Sequence, residues 1–320
     1  MHFLQVFDVS KKEGDEFVLK NISFSQKQFQ KIAIAGATGS GKTTLLRMIA
    51  GLVQPDAGNI LFESERVLGP EEKLMPGHPR IAYLSQHFEL RNNYRVIELL
   101  SMANHILEED AKKIYEVCRI DHLLNRWTHQ LSGGEKQRIA LACLLVKAPK
   151  FLLLDEPYSN LDAIHKSILK SVIEAIGRQL HITCLLVSHD PLDTLCWADE
   201  IFILQAGQFI QNGRPEKIYK EPVNEYAAAL FGKYSLMGFS LAKAFSTFTD
   251  LELNRINSFI RPEDFKIVPG ENHGLKGKVK KLSFMGSYYE AEIMIGENKI
   301  VVNTDQKNLV KGDIVFVSLS

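Results

Sequence analysis

Gly36-Ala37-Thr38-Gly39-Ser40-Gly41-Lys42-Thr43-Thr44 fits the pattern G-x-x-x-x-G-K-[ST], whose chemistry is the holding of a nucleoside triphosphate. Gly36, Gly39 and Gly41 let the backbone close around phosphates with its N–H groups turned inward. A helix opening near Gly41 adds the positive end of its dipole. Lys42 is expected to reach the β- and γ-phosphates and the Thr43 hydroxyl to ligate Mg2+, with Thr38, Ser40 and Thr44 completing the cradle. Leu152-Leu153-Leu154-Asp155-Glu156-Pro157 is the second piece. An apolar strand delivers two carboxylates at its end. Asp155 is placed to hold Mg2+, directly or through water, and Glu156 to orient and polarise an attacking water. His189, after Val187-Ser188, can hydrogen-bond the γ-phosphate. Gln86, after Ile81-Ala82-Tyr83-Leu84, can reach Mg2+ or the attacking water. Each has a plainer reading alone: an Asp-Glu pair is usually a solvated turn, and a lone histidine is usually structural. Directly after a buried strand, in a chain with a phosphate-cradling loop, the acidic pair reads as catalytic.

These residues need a scaffold that brings loops to one edge. Lys31-Ile32-Ala33-Ile34-Ala35 reads as a buried strand. Leu45, Leu46 and Ile49 share one side of a helix over residues 42–50, which Gly51 stops. Residues 151–154 and 183–187 are two more continuous apolar strands. Runs buried on both faces and separated by helices predict a mainly parallel α/β sheet covered by helices. Past Gln86 the strand signal fades. Residues 96–107 and 111–118 predict helices, so 87–135 reads as a helical insertion. Residues 201–210 predict a hairpin around Ala206-Gly207. A short helical tail over 215–231 closes a first domain at 235, and residues 236–257 read as a linker. Residues 258–320 are strand-like and lysine-rich, which predicts a small all-β, OB-like barrel.

Leu131-Ser132-Gly133-Gly134-Glu135-Lys136-Gln137-Arg138 resembles the signature of ABC-transporter ATPases. The other parts follow in that family's order: the loop at Gly36, Gln86, the signature at Ser132, the Asp155-Glu156 pair, Ser159-Asn160-Leu161-Asp162 and His189. The resemblance implies a P-loop, RecA-like ATPase core using ATP and Mg2+. It further implies that Ser132, Gly133 and Gly134, at a helix start, contact the γ-phosphate held by the opposite subunit. Two ATP are then sandwiched in a homodimer, with Asp162 at the seam. Ile260-Arg261-Pro262-Glu263-Asp264 and Gly277 to Gly286 resemble the C-terminal TOBE-type β-barrel of importer ATPases for sugars, polyamines, iron(III) or sulfate. The implied role is the energy-coupling subunit of a membrane importer for a small nutrient. It would be held by integral permease subunits on the inner face of the cell membrane and served indirectly by an extracytoplasmic solute-binding protein. An exporter subunit and a soluble non-transport ABC ATPase are the alternatives. The β-barrel tail argues against the first; one signature and no long heptad run argue against the second. The family usually places an aromatic ring 23 residues before Gly36 to stack on adenine. Glu13 stands there, Phe17 is near but out of register, and Val18 can supply apolar contact instead. Pro191-Leu192 replaces the usual polar run after His189-Asp190.

Composition limits the partners. The 320 residues carry 38 basic and 38 acidic side chains, so no global charge calls for nucleic acid. Lys276, Lys278, Lys280 and Lys281 with Phe284, Tyr288 and Tyr289 could mimic a base-stacking groove, but solvated strand lysines and core aromatics explain the same residues. Cys118, Cys143, Cys184 and Cys196 form no C-x-x-C pair and read as buried thiols of a reducing compartment. No basic-then-apolar leader opens the chain, and no apolar run approaches the ~18 residues of a membrane span. The expectation is a cytoplasmic protein that meets the membrane through a partner.

Overall fold

A computed structural model describes residues 2–86, 89–248 and 258–320. Leu4–Glu13 (β1) and Glu16–Gln26 (β2) pair as a hairpin, and Gly14 at its tip takes φ 64°, a left-handed conformation open to glycine. The four residues of Ile32–Ala35 (β3) are all buried, and Lys42–Ile49 (α1) follows the glycine loop. Ala57–Phe62 (β4) and Glu65–Arg66 (β5) complete an antiparallel sheet of order β2-β1-β4-β5. The sequence reading had not anticipated this sheet, because its strands carry polar residues on their exposed side.

Ile81–Leu84 (β6) leads into three helices, Val96–Ala103 (α2), Glu108–Cys118 (α3) and Gly133–Leu145 (α4). The helix expected over 96–107 is shorter: the backbone turns extended at Asn104, with ψ 124°. Phe151–Asp155 (β7), Ala163–Gln179 (α5), Thr183–Ser188 (β8) and Pro191–Leu195 (α6) follow. Glu200–Gln205 (β9) and Gln208–Gly213 (β10) form the expected hairpin. Its turn residues Ala206 and Gly207 both have positive φ, 46° and 76°, as a two-residue hairpin turn of matching twist requires.

The six-stranded sheet runs β10-β9-β3-β8-β7-β6, parallel except for the β9–β10 edge. Strands β3, β7 and β8 are buried on both faces, and alternation divides their side chains. Phe151, Leu153, Leu185 and Val187 pack with α1 and the antiparallel sheet, through Leu45, Leu46 and Phe62. Leu152, Leu154, Cys184 and Leu186 pack with the helices, through Leu100, Ile114, Leu141 and Val172. This sandwich leaves the carboxyl ends of β3, β6, β7 and β8 to carry loops, the usual place for ligands in such sheets.

The chain divides into two compact units, Met1–Pro215 and Glu216–Ser320. The helical tail expected to close the first domain at 235 therefore groups with the second unit. That unit contains Pro215–Lys220 (α7) from its second residue, Glu225–Leu230 (α8), Ser235–Met237 (β11), Phe239–Phe245 (α9) and Ser258–Ile260 (β12). The described part of the expected linker is not a linker. β11 pairs with β12, and Leu241, Ala242 and Phe245 enter an apolar core with Phe265, Val279 and Ile293. The remainder of that segment, 249–257, lies outside the described residues. Phe265–Val268 (β13), Leu275–Phe284 (β14), Tyr289–Ile295 (β15), Asn298–Thr304 (β16) and Ile314–Leu319 (β17) form an antiparallel sheet of order β13-β17-β14-β15-β16. Its outer strands β13 and β16 touch, so the sheet curls towards closure. Phe284 is 67% exposed and Tyr288 and Tyr289 are half-buried, so the reading of these aromatics as core residues fails for Phe284 and holds only in part for the tyrosines. All four cysteines are free; Cys118 and Cys184 are buried, but Cys196 is exposed, contrary to expectation.

Candidate active site

The glycine loop between β3 and α1 is shaped by what surrounds it. A Cβ on Gly36 would stand 2.4 Å from Leu204 O, so β9 leaves no room for a side chain. Gly41, with φ 102°, caps α1, and a Cβ there would meet Leu19 and Val18 O at 2.8 Å. Gly207 N donates to Ser40 O at 3.2 Å, and Lys20 N donates to Gly207 O at 2.9 Å. β2 and the β9–β10 turn thus clamp the loop from outside. Ala37, Thr38 and Gly39 remain exposed at its tip.

Lys42 is nearly enclosed, with 4% of its side chain exposed. Its ammonium donates to Gly36 O and Ala37 O, both at 2.9 Å, and lies 3.9 Å from Glu156. Burial lowers its pKa, opposed by Glu156 and Asp155. The loop's own carbonyls therefore hold the charge where phosphate oxygens would compete for it. Ser40 Oγ is buried without a hydrogen-bond partner, an orphan polar atom beneath the exposed tip of the loop.

β7 and β8 deliver the acidic side of the site. Thr43 Oγ1 donates to Asp155 Oδ1 at 3.1 Å, and the Tyr83 hydroxyl, from β6, donates to Asp155 Oδ2 at 2.7 Å. Burial raises the Asp155 pKa, and those two hydrogen bonds oppose the rise. Glu156 N donates to Val187 O at 3.0 Å, which ties the residue to β8. Glu156 takes φ 46°, a strained backbone for a non-glycine residue. Its carboxylate lies 3.0 Å from His189 Nδ1. Thr43, Asp155, Glu156, Lys42 and His189 are thus brought together. Gln86 lies half-buried after β6, and among the described residues no hydrogen bond joins it to Thr43 or Asp155.

Thr43 and Asp155 offer hard oxygen donors 3.1 Å apart, which suits Mg2+ held partly by phosphates and water. Among the described residues no group of three His, Cys, Asp or Glu side chains could hold a metal. Such an ion would depend on the triphosphate for its remaining ligands.

The second glycine-rich segment opens α4. Ser132 is its N-cap: Ser132 Oγ accepts from Glu135 N at 3.3 Å, and Glu135 Oε2 accepts from Ser132 N at 2.8 Å. Ser132 and Gly133 are exposed, so the positive end of a thirteen-residue helix faces outward. Gln137 donates to Pro157 O and Arg138 donates to Arg119 O at 2.9 Å. These two side chains fix the helix rather than reach for phosphate. Asp162 caps α5, accepting from His165 N at 2.9 Å.

The Phe17 ring carries the ammonium groups of Lys12 at 4.6 Å and Lys20 at 5.7 Å, and the Val18 carbonyl and the Leu19 side chain lie beside Gly41.

Residues 19–159 match the ABC transporter family model, and 259–320 match the TOBE domain. The spermidine/putrescine import ATP-binding protein PotA of Clostridium acetobutylicum is 31% identical, over 99% of this chain and 94% of its own length. The chain belongs to the ABC transporter family. It is an ATP-binding, ATP-hydrolysing subunit with a C-terminal TOBE domain. The ABC subunit is also 34% identical to the glucose import ATP-binding protein GlcV of Saccharolobus solfataricus, over 90% of this chain and 88% of that one. The Fe(3+) ions import ATP-binding protein FbpC of Photorhabdus laumondii is 28% identical, over 91% and 87%. Among solved structures, cbiO1 of Clostridium perfringens, part of the ABC transporter complex cbiONQ, superposes with a TM-score of 0.62 at 29% identity. It covers 69% of this chain and 91% of its own.

Sequence reasoning missed the groups that hold the candidate site's side chains in place. Tyr83 was read only as part of an apolar strand. Asp193 is nearly fully buried, accepts from Ser188 Oγ at 3.1 Å, and pairs with Lys166 at 2.8 Å and Lys170 at 2.9 Å. Lys166 also bonds Asp190, which caps α6. The two lysines lie one turn apart on α5, so the helix after Asp162 is strapped to the segment after His189. The i, i+4 lysines were the available signal. Pro191-Leu192, unexplained by sequence, is the first turn of α6, where a proline costs no hydrogen bond.

Proposed function

We propose that this subunit drives a membrane importer for a small nutrient, working as a homodimer with two ATP at the interface and docked on integral permease subunits. Iron(III), a polyamine or a sugar is the class of cargo, and a solute-binding protein outside the membrane would deliver it. The observation that carries this reading is the pair of outward-facing helix starts, at Gly41 and at Ser132-Gly133, in one chain. Each is an anion site, and the signature's side chains bond within α4 and its surroundings rather than to the glycine loop. The TOBE domain and the import names of PotA, GlcV and FbpC support the direction of transport.

In this reading Lys42 leaves Gly36 O and Ala37 O for the β- and γ-phosphates, while Gly36, Thr38, Gly39, Ser40, Gly41 and Thr44 enclose them. Thr43 and Asp155, with Gln86, would hold Mg2+, which when bound neutralises charge developing on the phosphates. Glu156 orients and polarises the attacking water, and His189 keeps that carboxylate in place and faces the γ-phosphate. Val18 gives apolar contact near the base. The partner's Ser132, Gly133 and Gly134 complete the phosphate cage, and Asp162 lies at the seam.

Glu156→Gln tests the shared site. It should lower turnover on the order of a hundredfold or more, keep nucleotide affinity, and accumulate an ATP-bound dimer in light scattering. A variant that binds ATP and stays monomeric would refute the sandwich. Recovery of an integral permease with the subunit from detergent-solubilised membranes tests the docking.

A further inference from the structure

We propose that His165 is a positioning residue for turnover, holding Asp162 and the start of the signature helix in fixed relation within one subunit. The inference rests on the shared-site reading above. His165 bonds both oxygens of Asp162: its backbone N–H donates to Oδ1 at 2.9 Å, and Nδ1 lies 2.7 Å from Oδ2. The Asp162 carboxylate is held below the usual carboxylate range by these two bonds, backbone first. It is therefore charged, and Nδ1 is the protonated, donating nitrogen.

The same ring lies against α4. A Cβ on Gly134 would stand 2.6 Å from His165 Cδ2 and 2.9 Å from Cγ. Gly134 does not take the left-handed conformation that favours glycine; the ring beside it is what excludes a side chain. α4 belongs to the helical insertion and α5 follows the sheet strand β7, so His165 is a contact between the part that carries the signature and the part that carries Asp162. The ring is one-third exposed, and it sits beside Asp162, which the shared-site reading places at the seam. An apolar side chain of similar size would fill the space against Gly134 but leave Asp162 Oδ2 without its donor. The residue type at 165 thus decides whether the carboxylate is aimed or free.

The test compares His165→Leu with His165→Asn, whose amide nitrogen can stand where Nδ1 stands. kcat, KM for ATP, the nucleotide affinity of the isolated subunit and the melting temperature are measured. The ATP concentration that half-dimerises each protein in a Glu156→Gln background is measured as well. His165→Leu should lower kcat and raise the dimerising ATP concentration, each on the order of tenfold, with monomer affinity and melting temperature near those of the parent. His165→Asn should recover most of both. His165→Leu indistinguishable from the parent overturns the proposal while the shared site stands. Parallel losses of affinity and melting temperature that His165→Asn does not rescue also overturn it, since they mark a purely structural histidine. A Glu156→Gln parent that stays monomeric with ATP bound refutes the shared site, and the proposal falls with it.

Discussion

The hydroxyl of Tyr83, on β6, donates to Oδ2 of Asp155 at 2.7 Å, across the hydrogen-bonded strands β6 and β7. Thr43 occupies the other oxygen at 3.1 Å. Burial raises the pKa of this carboxylate, and two neutral donors, one on each oxygen, favour its charged form against that rise. Burial and the neighbouring Asp155 push the Tyr83 phenol far above its ordinary range, so it is always the donor. Thr43 is a donor the cation can replace; Tyr83 approaches from the other side and can stay.

Tyr83→Phe should therefore raise the Asp155 pKa further and weaken the hold on Mg2+ in a pH-dependent way. A hydrogen bond to a charged group contributes about 1.5–3 kcal/mol, so without the Tyr83 hydroxyl the carboxylate keeps its proton to higher pH than in the parent. The carboxylate must lose its proton to accept the ion, and protons compete as pH falls. ATPase titrated with Mg2+ should need more metal than the parent towards acid pH, with the two curves converging as pH rises. An equal offset at every pH would refute the account.

The parts of this site that sequence reveals are those in which one residue type does one job within a short segment. The glycine loop, the acidic pair after an apolar strand and the signature each carry their own context, and β3, α1, β7 and β8 fall where their periodicity places them. What escaped was side chains whose job is set by a distant partner. Tyr83 and Asp155 are 72 residues apart, and nothing local separates a strand tyrosine that packs from one that bonds a carboxylate. His165 looks like an ordinary residue in the first turn of a helix until Gly134 is beside it. The tail after 215 was misread for a related reason. Its helices are short and are tied to residues that come later in the chain, through Arg261 to Tyr219 O and Ala228 O and through Glu263 to the Tyr219 hydroxyl, so local pattern assigned them to the domain they follow.

Asp193→Asn should separate the placing of His189 from nucleotide binding. Asp193 neutralises Lys166 and Lys170 from a nearly dry position, and removing one partner of a buried ion pair costs about 3–5 kcal/mol. Asp190 can take over part of Lys166, so a loss at the lower end is expected, read as a fall in melting temperature of the ATPase unit. The α6 start then loosens behind His189. kcat should drop on the order of tenfold while fluorescent-nucleotide affinity, governed by the glycine loop, stays near the parent value. Loss of affinity in proportion to kcat would place Asp193 in general folding instead.

Arg261→Met tests what holds the second unit together. Arg261 is 1% exposed, the largest side chain buried so fully. Its Nε donates to Tyr219 O at 3.1 Å, and Nη1 reaches Ala228 O, Gly232 O and Lys233 O at 3.0–3.1 Å. Tyr219 and Ala228 lie in the last turns of α7 and α8, and Gly232 and Lys233 follow α8, where helix carbonyls run short of internal donors; Ala228 O also accepts from Phe231 N at 3.3 Å. The guanidinium also stacks 4.2 Å from the Tyr219 ring. Burial lowers its pKa, opposed by Tyr219 and the carboxylates of Glu263 and Asp264, yet arginine remains charged, and four carbonyl dipoles solvate it. Methionine keeps much of the volume and strands the carbonyls, so a cost of about 3–5 kcal/mol is expected. In calorimetry the transition of the C-terminal unit should move down by roughly 10 °C or more, while the ATPase unit's transition and its nucleotide affinity stay in place. Equal shifts of both transitions would show that Arg261 supports more than the unit in which its bonds are made.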